Sequence, residues 1–213
     1  FFFFFFFFFL DLSNYYTTTT VIIIYNLSIY YRGPRRRGMV EPALFSSARQ
    51  DWATPSSFIE WLRVERSVEL DLDAAALHTT AKAPRYFGPD RTFAADRDGL
   101  AAPWRGRVWL NPPFGREIGV WLEKCAQEIK RPEVECIWVL VPARTDTKWF
   151  HEIVMPNAYL VYLIKGRFNF SCPGHVENAN APFPNMLILY RKHKLPVAGI
   201  TTLNVPKEAR GFP

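Results

Sequence analysis

The chain has 213 residues, 49% of them hydrophobic, and 26 Lys and Arg against 20 Asp and Glu, a net charge of +6. That length suits one α/β domain with a sizeable core. Three widely spaced cysteines (Cys125, Cys136, Cys172) exclude a disulfide scaffold, and neither they nor the four histidines show ligand spacing, so no metal is expected.

Phe1–Gly38 begins with nine consecutive Phe and continues through Thr17–Thr20 and Ile22–Ile24 without a helical or strand period. Arg32, Arg35, Arg36 and Arg37 against Asp11 give it +3, which leaves +3 for everything after it. We read it as a low-complexity segment, disordered or not native coding sequence, with Met39 as the natural start. The alternative is a membrane anchor. Asp11, Ser13, Asn14, Thr17–Thr20 and Asn26 interrupt the apolar runs, so the roughly 20-residue span a membrane helix needs is missing. The basic cluster follows the apolar runs, the reverse of a signal peptide. A cytoplasmic protein with no membrane partner is expected. The mildly basic remainder permits nucleic-acid binding without demanding it.

Residues 39–192 read as the folded domain, and 193–213 as a loose tail. Leu44–Gln50 is a lead-in. Thr54 can cap a helix and Pro55 fits its first position, so Ser56–Arg66 is predicted helical, with Phe58, Ile59 and Leu62 inward. Val68–Asp73 alternates with period two and predicts a strand. Its terminal Asp73, followed by the small Ala74–Ala76, suits a ligand at a strand's carboxyl end; a solvated strand-end Asp suits the pattern equally. Thr79–Gly88 predicts a loop or short helix. Asp96–Leu100 and Trp104–Gly106 predict turns.

Arg107–Leu110 predicts a strand that Pro112 and Pro113 stop at once, since neither can donate to a ladder. Asn111 therefore sits at a rigid turn with Phe114 beside it. An exocyclic amine on a flat ring, such as N6 of adenine, is a poor nucleophile because its lone pair is delocalised. The Asn111 amide oxygen and the Pro112 carbonyl can hold its two hydrogens and aim that lone pair, which is orientation and preorganised electrostatics rather than strong-base chemistry. Phe114 offers a face to stack on. A plain strand end with Phe114 in the core fits those residues as well.

Glu117–Lys130 predicts an amphipathic helix with Ile118, Trp121, Leu122, Cys125 and Ile129 on its apolar stripe. Glu135–Pro142 is a continuous apolar run, as in a strand covered on both faces. Arg144 leaves that strand on the Asn111 edge and can meet a phosphate or pair with Asp146, the pair being preferred. A helix is predicted near Thr147–Val154 and a strand at Ala158–Ile164. Lys165–Phe170 is a basic, aromatic turn of the kind that grips nucleic acid, or a hairpin with core Phe residues. Ser171–Ala181 predicts a loop and Asn185–Tyr190 a final strand. Two late strands without a helix between them predict an antiparallel pair closing a parallel sheet.

Several blocks in one order then resemble the phage-type DNA N-6-adenine methyltransferase family. They are Asp51-Trp52-x-Thr54-Pro55, Leu70–Ala75, Lys82 with Pro84–Phe87, Asp98-Gly99-Leu100 with Trp104, Val108–Gly115, Pro142–Asp146 with Trp149-Phe150, Gly166-Arg167-x-x-Phe170, and Pro182-Phe183-Pro184. The resemblance implies a Rossmann-like α/β methyltransferase fold, mostly parallel with a reversed final strand. It implies S-adenosyl-L-methionine as cofactor and methyl transfer to N6 of an adenine flipped out of DNA. Asn111, Pro112, Pro113 and Phe114 match the family's catalytic block. Trp52, Thr54, Pro55, Asp73, Ala74 and Asp98 match its cofactor side, and Arg144, Lys165 and Arg167 are the candidate DNA contacts. It also implies a role in a phage or prophage, and a monomer in the cytoplasm of a bacterial or phage-infected cell is expected.

Two departures stand out: Phe114 replaces the commoner Tyr, and Asp73-Ala-Ala-Ala replaces a Gly-rich loop. RNA and protein-glutamine methyltransferases share the Asn-Pro-Pro block. They remain alternatives, as does an inactive relative that holds nucleic acid through Lys165 and Arg167.

Overall fold

The protein is described here from a computed structural model, which covers residues 52–170, 179–193 and 196–213. The segment Phe1–Gly38, the lead-in Leu44–Gln50, Asp51 and most of the expected loop Ser171–Ala181 lie outside the described residues.

Helix α1 (Ser56–Arg66) buries Phe58 and Leu62, as its spacing predicts, but its start differs. Pro55 takes the N-cap position and no side chain caps the helix, so Thr54 is released from that duty. Strand β1 is only Leu72–Asp73, shorter than the predicted Val68–Asp73. The Asp71 carboxylate explains the difference. It accepts the Arg107 backbone N–H at 2.8 Å and the Arg107 guanidinium at 2.9 and 3.1 Å, occupying a donor the ladder would have used. Gly106 makes room for it: φ is +74°, and a Cβ there would lie 2.8 Å from that of Asp71.

The predicted loop Thr79–Gly88 contains an edge strand, β2 (Arg85–Tyr86). Then come β3 (Gly106–Leu110), α2 (Ile118–Glu128) and the long β4 (Val134–Pro142). The predicted helix near Thr147–Val154 has a π-helical stretch, Phe150–Val154, running into a single turn, α3 (Met155–Asn157). Pro156 supplies the reason, since it cannot donate to the carbonyl four residues back and its ring crowds it. Strand β5 (Leu160–Ile164) follows. A small separate pair, β6 (Asn169–Phe170) with β7 (Ala179–Asn180), comes next, then β8 (Asn185–Arg191) and β9 (Gly199–Leu203).

The main sheet has the order β2-β1-β3-β4-β8-β5-β9. Neighbours are parallel except at β8, which runs antiparallel to both β4 and β5. This is the expected α/β class with its reversed strand. That strand is not the last, because β9 follows it and pairs in parallel with β5.

The tail is therefore not loose. Leu203, Val205 and Ala209 are buried, the Ser57 hydroxyl donates to the Ala209 carbonyl at 3.2 Å, and the Asn169 amide donates to the Gly211 carbonyl at 2.9 Å. Those few apolar residues are spread among polar ones, which hides the strand from a periodicity count. In the core, Trp109, Leu110, Val139, Leu140, Leu187 and Ile188 are almost wholly buried across three adjacent strands. The sheet is covered on both faces there, as β4's unbroken apolar run predicts.

Candidate active site

A cavity of about 650 Å³ opens at the carboxyl ends of β1 and β3. Its walls bring together Trp52, Thr54, Asp73, Ala74, Asp98, Asn111 and Pro113, all expected site residues from four separate stretches of sequence. Pro55, Pro112 and Phe114 do not line it, nor do Arg144, Lys165 and Arg167.

Asn111 donates through Nδ2 to the Trp52 carbonyl, which ties the strand-end turn to the strap ahead of α1. Its Oδ1 is buried and has no hydrogen-bond partner. The Thr54 hydroxyl and the Trp109 indole N–H are buried without a partner as well, and both residues line the same cavity. A buried polar atom left unpaired costs about 1–3 kcal/mol. Three such atoms belong to residues that line this one cavity, which concentrates unmet hydrogen-bonding capacity beside it.

Asp73 is 2% exposed. Its carboxylate accepts the N–H of Lys82 at 3.0 Å and of Ala75 at 3.3 Å, bracketing the turn that leaves β1. Burial raises its pKa to about 7, against the pull of those two N–H groups and of the Lys82 ammonium. The Lys82 amine reaches the Ser56 hydroxyl at 3.1 Å, and burial lowers its pKa, with Asp73 opposing.

The far rim is Asp98-Gly99. The Asp98 carboxylate accepts the Leu100 N–H at 2.8 Å. Gly99 lies so close to the Ala74 carbonyl that any Cβ would collide with it. The Trp104 indole N–H donates to the Gly99 carbonyl at 2.8 Å, and the Trp104 backbone N–H donates to Glu128 at 2.9 Å. Glu128, itself buried, pairs with Lys124 at 2.8 Å and Arg131 at 3.5 Å. The rim thus hangs from α2.

Phe114 is buried and meets Phe170 and Phe183 edge-on, with centroids 6.0 and 5.6 Å away. Trp52 meets the same two rings edge-on at 5.7 and 5.9 Å. The open stacking face expected of Phe114 is therefore taken up within an aromatic cluster. Phe168 and Phe170 are core residues, the hairpin reading of that turn. Arg144 is exposed on the Asn111 edge and makes no ion pair with Asp146; its carbonyl accepts the Thr147 hydroxyl at 2.7 Å instead. Lys165 and Arg167 are exposed, and the Arg167 carbonyl is held by Arg210 at 2.8 Å.

A family model described as DNA N-6-adenine-methyltransferase (Dam) matches residues 43–211. The chain belongs to that family. No curated protein matches it. The family match takes in β9 and the turn after it, beyond the domain end at residue 192 expected from sequence. The sheet is accordingly the Rossmann-like methyltransferase fold with its reversed strand. Membership carries DNA adenine methylation as the general activity, and hence a methyl donor and DNA.

Sequence reasoning missed Trp109, Trp121, Phe87 and Lys82 as cavity residues. Trp109 had a signal: it is an aromatic residue on the short strand that leads straight into Asn111. Trp121 sits on a helical stripe that looks like ordinary core. Among the described residues no helix is long and apolar enough to cross a membrane, and no cluster of His, Cys, Asp or Glu could hold a metal.

Proposed function

We propose that the protein transfers a methyl group from S-adenosyl-L-methionine to N6 of adenine in DNA. The observation that carries this is Asn111: its amide is pinned through Nδ2 while its buried oxygen has no protein partner. That is an acceptor kept in place for an amine hydrogen.

The cavity fits the cofactor. A buried carboxylate beside it favours a cation, and S-adenosyl-L-methionine carries an ammonium and a sulfonium. The unpaired Thr54 hydroxyl and Trp109 N–H suit its acceptor groups, and Phe87, Trp109 and Trp121 give the walls aromatic surface. When bound, S-adenosyl-L-methionine supplies an electrophilic methyl group on sulfur.

The remaining steps belong to the protein. Asn111 Oδ1 and the Pro112 carbonyl accept the two N6 hydrogens and turn the nitrogen lone pair toward the cavity. Pro113, between turn and cavity, keeps that geometry rigid. Of the four clustered rings, Trp52 and Phe183 are the partly exposed ones and meet an incoming base first, backed by Phe114. Arg144, Lys165 and Arg167 offer exposed cations to phosphates while the base is flipped. Bound in the cavity, the cofactor would give its methyl group to the N6 lone pair and leave as a neutral thioether, and the N6 proton would pass to solvent while Asn111 and Pro112 keep the amine in place. The same reading gives a monomer acting on DNA in the cytoplasm of a bacterial or phage-infected cell.

Incubation with methyl-labelled cofactor and separate DNA, RNA and protein acceptors tests the proposal. Label in DNA adenine that vanishes in Asn111→Ala supports it. Label confined to RNA or protein, or no label in any acceptor, overturns it.

A further inference from the structure

A second groove, of about 560 Å³, lies at the other end of the sheet, where β3 and β4 begin and the reversed β8 ends. Arg66, Arg107, Arg191, Lys192 and His193 line it, with Glu135 as its one acid among the described residues. At about 3.3 Å per residue, β4 between Cys136 and Pro142 keeps this groove roughly 20 Å from the Asn111 edge. It is a separate site, and the proposed reaction gives it no role.

Its cations are not equally engaged. Arg107 is neutralised by Asp71. Lys192 donates to the Pro132 carbonyl at 2.8 Å, which leaves its charge uncompensated. Arg66 and Arg191 make no ion pair among the described residues. Each guanidinium instead rests over a tyrosine ring, Arg66 over Tyr162 at 5.4 Å and Arg191 over Tyr159 at 5.7 Å from the centroid. A guanidinium lying on an aromatic ring is restrained in direction, keeps its N–H edge free, and suits phosphate oxygens.

We propose that this groove binds the phosphodiester backbone of a second stretch of DNA. The occupied rings favour backbone over nucleotide. Trp138 and Tyr162 are buried and stacked on each other, and Arg191 lies over Tyr159, which leaves His193 as the exposed ring of the groove, outnumbered by its cations. Contacts of this kind are blind to sequence. One molecule thereby holds two DNA segments, one at Asn111 and one behind, and can pass between them.

The test uses the full chain and a G·C-only duplex, whose binding is followed by fluorescence anisotropy across a salt series. Arg66→Gln with Arg191→Gln removes two charges and keeps most of each side chain. The slope of log affinity against log salt should become shallower by about two, with affinity at low salt down on the order of tenfold. Arg66→Lys with Arg191→Lys should restore the slope. Methyl transfer to a target duplex too short to span both sites should not change. If the double variant does not fold, Lys192→Gln should lower the slope by about one. An unchanged slope in the neutral variants overturns the proposal, as does full competition by free phosphate or AMP at concentrations matching the duplex. The binding readout stands whether or not methyl transfer is observed, so failure here is distinct from failure of the proposed reaction.

Discussion

Asn111 gives its amide hydrogen to the carbonyl of Trp52 and keeps its own oxygen unshared. The Asn-Pro-Pro turn and the strap ahead of α1 are therefore one mechanical unit. Asn111→Ala removes the acceptor and also frees the strap. We expect methyl transfer to fall by about a hundredfold or more, as when one preorganised hydrogen-bonding group is lost. DNA binding should be largely retained, and filter binding alongside a label-transfer assay checks both.

On the proposed function, Asp73 should make methyl-donor binding depend on pH. Its folded pKa is raised from 3.8 to about 7 by burial. The penalty for burying its charge is absent below about pH 4, grows between pH 4 and 7, and is constant above. A cationic ligand favours the charged form, so affinity should rise with pH up to about 7 and then level off. Calorimetric titration from pH 5 to 9 measures this, and Asp73→Asn should flatten the profile.

Trp109→Phe tests the unpaired indole N–H. Removing a buried donor with no protein partner should leave the melting temperature within a few degrees, since no hydrogen bond is broken and the edge contact with Phe58 survives. The methyl donor should bind about fivefold to tenfold more weakly, with KM raised and kcat little changed. A large stability loss with unaltered KM would show the nitrogen to be structural.

Much of this was legible in the sequence and some was not. The strand into Asn111 and the helix after it were legible because prolines, β-branched runs and helical stripes are local signals. Val68–Asp71 misled because alternation looks the same whether Asp71 faces water or caps a neighbouring strand. Thr54 misled because a cap is a local inference, while Pro55 takes the N-cap position and packs against Gly211, far along the chain. The Glu128–Trp104–Gly99 chain was invisible, since it joins residues far apart through one buried carboxylate.

That chain supplies another prediction. Glu128→Ala strands the largely covered Lys124 ammonium and the Trp104 N–H. Stability should fall by about 3 kcal/mol in urea unfolding. Methyl-donor affinity should fall too, because the Asp98-Gly99 rim loses its support.

β9 can be tested as an integral strand. Leu203→Ala should cost about 2–4 kcal/mol, the usual range for emptying a buried leucine site. A loose tail would show no change.

Six strands of the main sheet run toward the Asn111 edge and β8 alone returns from it. Its first residue, Asn185, pairs with Pro142, and the Ala143 N–H donates to the Pro184 carbonyl at 2.8 Å. A backward-running strand makes whatever precedes it arrive on the working side of the molecule. Segments grafted ahead of Pro182 would therefore reshape the Asn111 side of the molecule and leave the ladder behind it intact.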